Sequence, residues 1–324
     1  VEAQRLGLES FASDLNPVAV TINKAMIEIP PRFAGRAPVG PIPTRDKQAR
    51  LHEDWAGAKG LAEDVRRYGA WMRAQAVLRI GKHYPTIAIT AEMASDSTNP
   101  RPDLLSSVGK DLTVIGWIWA RTVRSPNPAF SHAEVPLVST FVLGAKEGTL
   151  AYVKPIVTGD RLDFTVRIGE SDSAIGDGTK LARGANFRCL LSDMPIDPKY
   201  IYSEANAGRL GIRLMAIVAE GVQGKVFLAP TDEHEAIALK ASPEWMPEVE
   251  MPENPRWFSP PLFGLKRYGD LFTSRQLVAL NTISDLVGEA IAHARADACS
   301  AGMSDDGVGL DAGGRGALAY AEAI

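Results

Sequence analysis

Four segments rich in β-branched and aromatic residues follow one another closely, at 112–123, 135–143, 150–157 and 161–168. Gly, Pro, Asn and Asp separate them, so they read as antiparallel strands. Two further strands are expected at 214–219 and 225–229, joined through Gln223-Gly224. Residues 170–184 are rich in Gly, Ser and Asp and read as a loop. This β-rich block limits the fold to a mixture of helices and antiparallel sheet.

The flanks are helical. Leu51, Trp55, Ala58, Ala62, Val65, Gly69, Met72 and Ala76 recur at spacings of four and three, which predicts a long helix with that stripe inward. Residues 31–90 hold eleven Lys or Arg against five Asp or Glu, an excess of six. Such an excess suits a solvated helix face or a surface that meets DNA. Five prolines between 30 and 43 predict an extended connector. Thr231 to Glu235 opens a short helix. Residues 241–260 are acidic and Pro-rich, a linker by composition. Thr273-Ser274-Arg275-Gln276 is a capping box. The helix behind it runs to about residue 298, with Leu277, Leu280, Ile283, Val287, Ile291 and Ala294 on one side. Residues 300–316 are loop-like.

Several function classes are excluded early. The net charge of -4 does not mark a nucleic-acid binder by itself. Cys189 and Cys299 are too few and too far apart for a disulfide framework, and a reducing, cytoplasmic setting fits. No apolar run reaches the roughly 18 residues that a spanning helix needs, so no membrane partner is expected. His52, His83, His132, His234 and His293 show no paired metal-ligand spacing. The first residues resemble the middle of a helix that Gly7 stops, and the last ones a helix without a stop signal. Both ends suggest a piece of a longer protein.

The segment Ser10-Phe11-Ala12-Ser13-Asp14-Leu15-Asn16-Pro17 carries the chemistry. A strand over 9–13 followed by a helix from Pro17 would make a partial doubly wound unit. An acidic residue ending such a strand can take the two ribose hydroxyls of an adenosine-containing cofactor, since a carboxylate accepts two hydrogen bonds at once. Leu15 would lie against the adenine, and Asn16 with Pro17 would shape the turn. The same residues also make an ordinary turn with a helix cap. A nicotinamide-dinucleotide enzyme would use Asp14 in the same way.

The stretch EAQRLGLESFASDLNPVAVTINKAMIEIPPRFAG resembles a family of bacterial adenine-specific DNA methylases that contain a zinc-ribbon insertion. The resemblance continues through GWIWARTVRSPNPAFSHAEVPLV, AGRLGIRLMAIVAEG and YGDLFTSRQLVALNTISDLVGEA. It implies an S-adenosylmethionine-dependent transfer of methyl to adenine in double-stranded DNA, in a restriction or phage-defence setting with other subunits of that system as further partners. It implies Asp14, Leu15 and Asn16 as cofactor-binding residues. The family's Asp-Pro-Phe-x-Gly-Gly-Gly loop and its Asp-Pro-Pro-Tyr catalytic motif do not occur in these 324 residues, so no catalytic residue is assigned. Ser259-Pro260-Pro261-Leu262 is no substitute, because Leu262 offers no π surface to a flipped base. The alternative is a non-catalytic module that binds DNA or a partner.

The resemblance also sets the fold class and its parts. A partial Rossmann-like unit that binds S-adenosylmethionine is expected over 1–30 and a basic helical segment over 31–110. A β-rich degenerate zinc-ribbon insertion is expected over 111–240, and an acidic linker with C-terminal helices over 241–324. The family's four zinc-ligand positions hold Ser125, Phe130, Cys189 and Ser192 here. One thiolate cannot hold zinc in a closed tetrahedron, even with His132 nearby, so no metal is expected. The strands around Trp117, Trp119, Phe141 and Tyr152 are expected to supply apolar burial in its place. Cys189 on its own reads as a small buried hydrophobe.

Overall fold

The computed structural model describes residues 3, 6–8, 11–41, 54–146, 149–159, 161–169, 178–181, 183–222, 224–254 and 258–324. They form a mixed structure of helices and antiparallel sheets in two compact units. One unit combines residues 1–80 with 279–324, and the other spans 81–278. The expected parallel, Rossmann-like arrangement has no counterpart among the described strands, which all pair antiparallel.

The first unit is helical. Gly7 adopts φ 72°, and the Leu8 N–H reaches back to the Ala3 carbonyl at 2.9 Å, a six-residue closure typical of a helix stop. Residues 11–14 have no strand pairing, and 9 and 10 lie outside the described residues. The expected strand is therefore not formed where it can be observed. A helix then runs Pro17–Asn23, widens to a π-turn over Lys24–Glu28, and closes over Ile29–Arg32. Pro30 and Pro31 lack the N–H that a regular helix would use, and the wider turn accommodates them. The connector expected from 30 onward thus starts as helix, and its part over 42–50 lies outside the described residues.

The long helix is Lys59–Ile80, but it buries a different face from the expected stripe. Gly60, Leu61, Asp64, Arg67 and Tyr68 face inward, while Ala62, Val65 and Gly69 are exposed. The reason is a polar hub. The Asp64 carboxyl, fully buried, accepts from Val39 N–H at 2.7 Å, Gly40 N–H at 2.8 Å and Tyr320 O–H at 2.7 Å. Arg67 donates to the Gly40 carbonyl and to Glu63. Around the hub, Phe33 and Tyr320 meet edge to face at 5.2 Å, packed with Leu61, Ala298 and Ala317.

In the second unit the strands are β1 Ile87–Ala88, β2 Asp111–Leu112, β3 Val114–Arg124, β4 Glu134–Leu137, β5 Val142–Lys146 and β6 Thr149–Thr158. They continue as β7 Arg161–Gly169, β8 Phe187–Arg188, β9 Pro195–Ile196, β10 Gly211–Gly221 and β11 Gly224–Leu228. One sheet has the order β11-β10-β3-β4 and another β5-β6-β7. The strand expected over 135–143 is split, because its first half pairs with β3 and its second half starts the other sheet. Val153, Phe164 and Val166 from the three-stranded sheet pack on Ala120, Met215 and Ala216 from the larger one. Leu214, Ile217 and Leu228 pack on the opposite side with Ile87, Ile89 and Leu104. With burial on both faces, residues 214–219 of β10 are all apolar and buried.

The capping box is present. Thr273 N–H donates to Gln276 Oε1 at 2.8 Å, and Gln276 N–H donates to Thr273 Oγ1 at 3.3 Å. The helix behind it is Ser274–Ser300. Its expected stripe holds at Leu277 and Ala294, but Leu280, Ile283 and Val287 are about half exposed. Leu286, Ala290, Ala294 and Ala298 form the buried line instead. Among the described residues, no helix is long and apolar enough to cross a membrane.

Candidate functional site

The turn at Asp14 is closed by its own side chains. Asp14 Oδ1 accepts from Asn16 N–H at 2.8 Å, and Asn16 Oδ1 accepts from Val18 N–H at 3.0 Å. The second interaction caps the helix that starts at Pro17. Asp14 and Asn16 are exposed, and Leu15 stands fully out of the fold. Asp14 borders an open cleft of about 560 Å³ with Leu8, Phe11, Asn23, Lys24 and Ile27. Lys24 in this cleft pairs with Asp311 at 2.5 Å. Asp14 Oδ1 is committed to the turn, and Oδ2 stays available as an acceptor. Such a carboxylate fits a ribose hydroxyl, and Leu15 offers an apolar surface beside it. The fit extends only to this half of an adenosine cofactor.

The four ribbon positions lie in two turns. In the first, Ser125 N–H donates to the Ala133 carbonyl at 3.0 Å, and Asn127 Oδ1 accepts from Ala129 N–H at 3.0 Å. In the second, between β8 and β9, Cys189 N–H donates to the Met194 carbonyl at 2.9 Å. Asp193 closes that turn with φ 59°, a left-handed conformation that aspartate tolerates. The turns meet where Ser125 Oγ lies 3.3 Å from Cys189 Sγ and Asn127 Nδ2 donates to Met194 Sδ at 3.6 Å. Thiolates around zinc, at about 2.3 Å from the metal, sit about 3.8 Å apart. Ser125 and Cys189 thus have nearly the spacing of two ligands on one ion.

The chemistry of that pair does not fit zinc. Burial pushes the Cys189 thiol up, but the Ser125 hydroxyl and the N–H groups of Leu191 and Ser192 outweigh it and hold the thiol below its usual value. Ser192 Oγ faces the thiol but is buried without reaching hydrogen-bond geometry. Among the described residues, no three His, Cys, Asp or Glu side chains gather into a metal-binding group. Val123, Val135, Ile196 and Ile201 enclose Cys189, so the turns have their own apolar core. The expected substitute aromatics lie elsewhere: Phe141 joins the sheet-to-sheet core, and Trp117 and Trp119 pack on the opposite side of β10.

Sequence reasoning missed one polar cluster in the second unit. Trp117 Nε1 donates to His234 Nδ1 at 3.0 Å. The Arg275 guanidinium lies 4.0 Å from the Trp117 ring centre and 5.3 Å from that of Tyr84. Tyr84 O–H donates to the Arg275 carbonyl at 3.0 Å. His234 is 4% exposed and Arg275 7%. Burial lowers the pKa of both from their ordinary values. One sequence signal pointed here: Arg275 is in the first turn of a helix, where the dipole disfavours a cation.

Comparison with family models, with curated proteins and with solved structures returns no match.

Proposed function

We propose that this chain is part of a cytoplasmic, S-adenosylmethionine-dependent DNA methyltransferase specific for adenine, working in restriction or phage defence on double-stranded DNA. The observation that carries the reading is the approach of Ser125 to Cys189 at 3.3 Å across two facing turns. The two residues are 64 apart in sequence, and the resemblance assigns both to one degenerate zinc ribbon. That approach supports the reading, since two turns of one ribbon are expected to face each other.

In this reading the N-terminal segment is the ribose-binding part of a Rossmann-like unit. The Asp14 carboxylate would accept from the cofactor's ribose hydroxyls, Leu15 would cover one face of the adenine, and Asn16 would hold the turn in place. When bound, S-adenosylmethionine supplies an electrophilic methyl group. The residues that would hold its methionine end and accept the adenine protons are assigned to a longer protein. The ribbon-bearing unit would serve DNA or partner recognition.

The test uses the longer protein, labelled cofactor and mixed-sequence double-stranded DNA. Methyl should appear on adenine N6. Asp14→Ala should weaken cofactor binding by roughly ten- to a hundredfold, the loss of a charged acceptor. These 324 residues alone should transfer no methyl. An unchanged dissociation constant would remove Asp14 from the site, and methylation by the chain alone would refute the partial-enzyme reading. A non-catalytic binding module remains the second reading, favoured by the confinement of every assigned cofactor residue to positions 14–16. That module would bind DNA with no dependence on cofactor.

A further inference from the structure

Beside the tryptophan–arginine stack, the second unit holds a cavity of about 420 Å³. Trp119, Arg121, Phe263, Phe272, Ser274 and Arg275 are among its walls. Its size falls in the range of small-molecule sites, about 300–1,000 Å³.

Three positive features converge on it. Arg275 is more than nine-tenths buried and has no carboxylate partner among the described residues. It spends one N–H on the His83 carbonyl at 3.3 Å, and its other donors meet no acceptor among the described residues. Stacking on Trp117 offsets only part of what burial of a lone cation costs. Arg121 is exposed and forms no ion pair among the described residues. The backbone N–H groups of Ser274 and Arg275, at the start of a 27-residue helix, meet no acceptor among the described residues either. The wall's one acid is Asp270, whose Oδ2 accepts from Lys266 N–H at 2.9 Å and Arg267 N–H at 2.8 Å. That oxygen is committed to its own turn, and Asp270 forms no ion pair with Arg121 or Arg275 among the described residues. The balance is a concave, positive site that lacks an anion. Trp119, Phe263 and Phe272 add aromatic surface beside it, Phe272 being 41% exposed.

We propose that this cavity binds a nucleotide, its phosphate held by Arg275, Arg121 and the helix start and its base against the aromatic wall. Arginine and helix N-termini suit phosphate, and aromatic faces suit bases of any sequence. The inference stands apart from the methyltransferase reading. A free mononucleotide and a nucleotide within a DNA strand share this chemistry.

Calorimetry on the chain tests it, with deoxyadenosine monophosphate, deoxyadenosine, inorganic phosphate and a single-stranded oligodeoxyadenylate as probes. The monophosphate should bind with a dissociation constant of about 0.1–1 mM, and the nucleoside at least about tenfold more weakly. Arg275→Met should weaken the monophosphate by about tenfold or more, and Arg121→Gln by about threefold. Arg121 is exposed, so its variant keeps the test valid if Arg275→Met disturbs folding. Tighter binding of the oligonucleotide, with the same sensitivity to both variants, would assign the site to a DNA strand. Oligonucleotide binding that ignores both variants, beside monophosphate binding that does not, would assign it to free nucleotide. No heat from either up to about 5 mM, or binding untouched by both variants, would overturn the proposal. Inorganic phosphate as tight as the monophosphate would overturn the nucleotide assignment.

Discussion

The two units bury their interiors on different principles. The helical unit is organised around a carboxyl: Asp64 gathers two backbone N–H groups and the Tyr320 hydroxyl, with Arg67 and Glu63 alongside. The β unit has an apolar interior, with six consecutive buried apolar residues in β10 at its centre. The β unit also buries polar side chains, Arg101, Thr122, Ser125, Thr179, His234 and Arg275 among them, and Ser125 sits against apolar packing by Val123, Val135 and Ile196. A polar hub fails if one member is lost, since each orphaned donor carries its own desolvation cost. An apolar interior loses stability in proportion to the area and cavity involved.

The largest change should come from giving the ribbon turns back their thiolates. Ser125→Cys, Phe130→Cys and Ser192→Cys together, with native Cys189, supply four sulfurs in the two turns. Zinc should rise from background to about one equivalent per chain by elemental analysis, as four thiolates close a tetrahedron. If the triple variant folds and holds no zinc, the turns are not ribbon turns and the resemblance loses its structural support.

Asp64→Ala comes next. It leaves two N–H groups and one hydroxyl without their acceptor in a fully buried place, which should cost about 3–5 kcal/mol. Hydrogen exchange read by mass spectrometry should show the loss over residues 59–80 and 279–324. Leu214→Ala, fully buried in β10, should cost about 2–5 kcal/mol, confined to 81–278. A loss below about 1 kcal/mol for Asp64→Ala would mean that the hub is decorative.

This contrast also decides how far the fold could be read from the sequence. Five of the six strands expected in the β unit are present within a few residues, because alternation and turn residues report an apolar interior directly, while the one expected over 135–143 divides between two sheets. In the helical unit the Ala62, Val65 and Gly69 stripe misled, since the inward face carries Asp64 and Arg67, which a hydrophobic pattern counts as surface. The strand before Asp14 also failed: two β-compatible residues and a serine turn do not hold a strand without pairing partners. Of the candidate sites, the pairing of Ser125 with Cys189 came from family resemblance. The Arg275 cluster was legible only in the odd placing of Arg275 itself, because its parts lie at 84, 117, 234 and 275, and only the fold joins them.

A pH series tests the histidine-bearing polar cluster of the β unit. His234 accepts from Trp117 Nε1 at its Nδ1, is supported by the Thr86 backbone, and faces Glu233 and Arg275. Burial lowers its pKa, and burial with Lys82 and Arg275 lowers that of His83. The unfolded chain therefore takes up these protons first, at its ordinary imidazole pKa near 6.5. Stability is fully present above about pH 6.5 and is lost as pH falls through the folded values. The urea midpoint of the 81–278 unit should be lower at pH 5.5 than at pH 7.5. His234→Gln should flatten that dependence, leaving the part that belongs to His83. An unchanged slope would show that His234 takes up its proton equally in the folded and unfolded chain, against the burial that lowers its folded pKa.

The smallest expected effect discriminates most between the pattern and the fold. By spacing alone Val65 belongs to an inward stripe, and removing an apolar side chain from a core costs about 1–3 kcal/mol or more. In the structure Val65 is 45% exposed, one position from the Asp64 hub but turned about 100° around the helix from it. Val65→Gln also exchanges a β-branched residue for a better helix former, a gain of a few tenths of a kcal/mol. The net change in unfolding free energy, read by urea titration, should stay within about 0.5 kcal/mol in either direction. Leu280→Gln, at a residue 48% exposed, should behave alike. A cost above about 1.5 kcal/mol at Val65 would put that face against a protein surface in solution and restore the stripe that the sequence suggested.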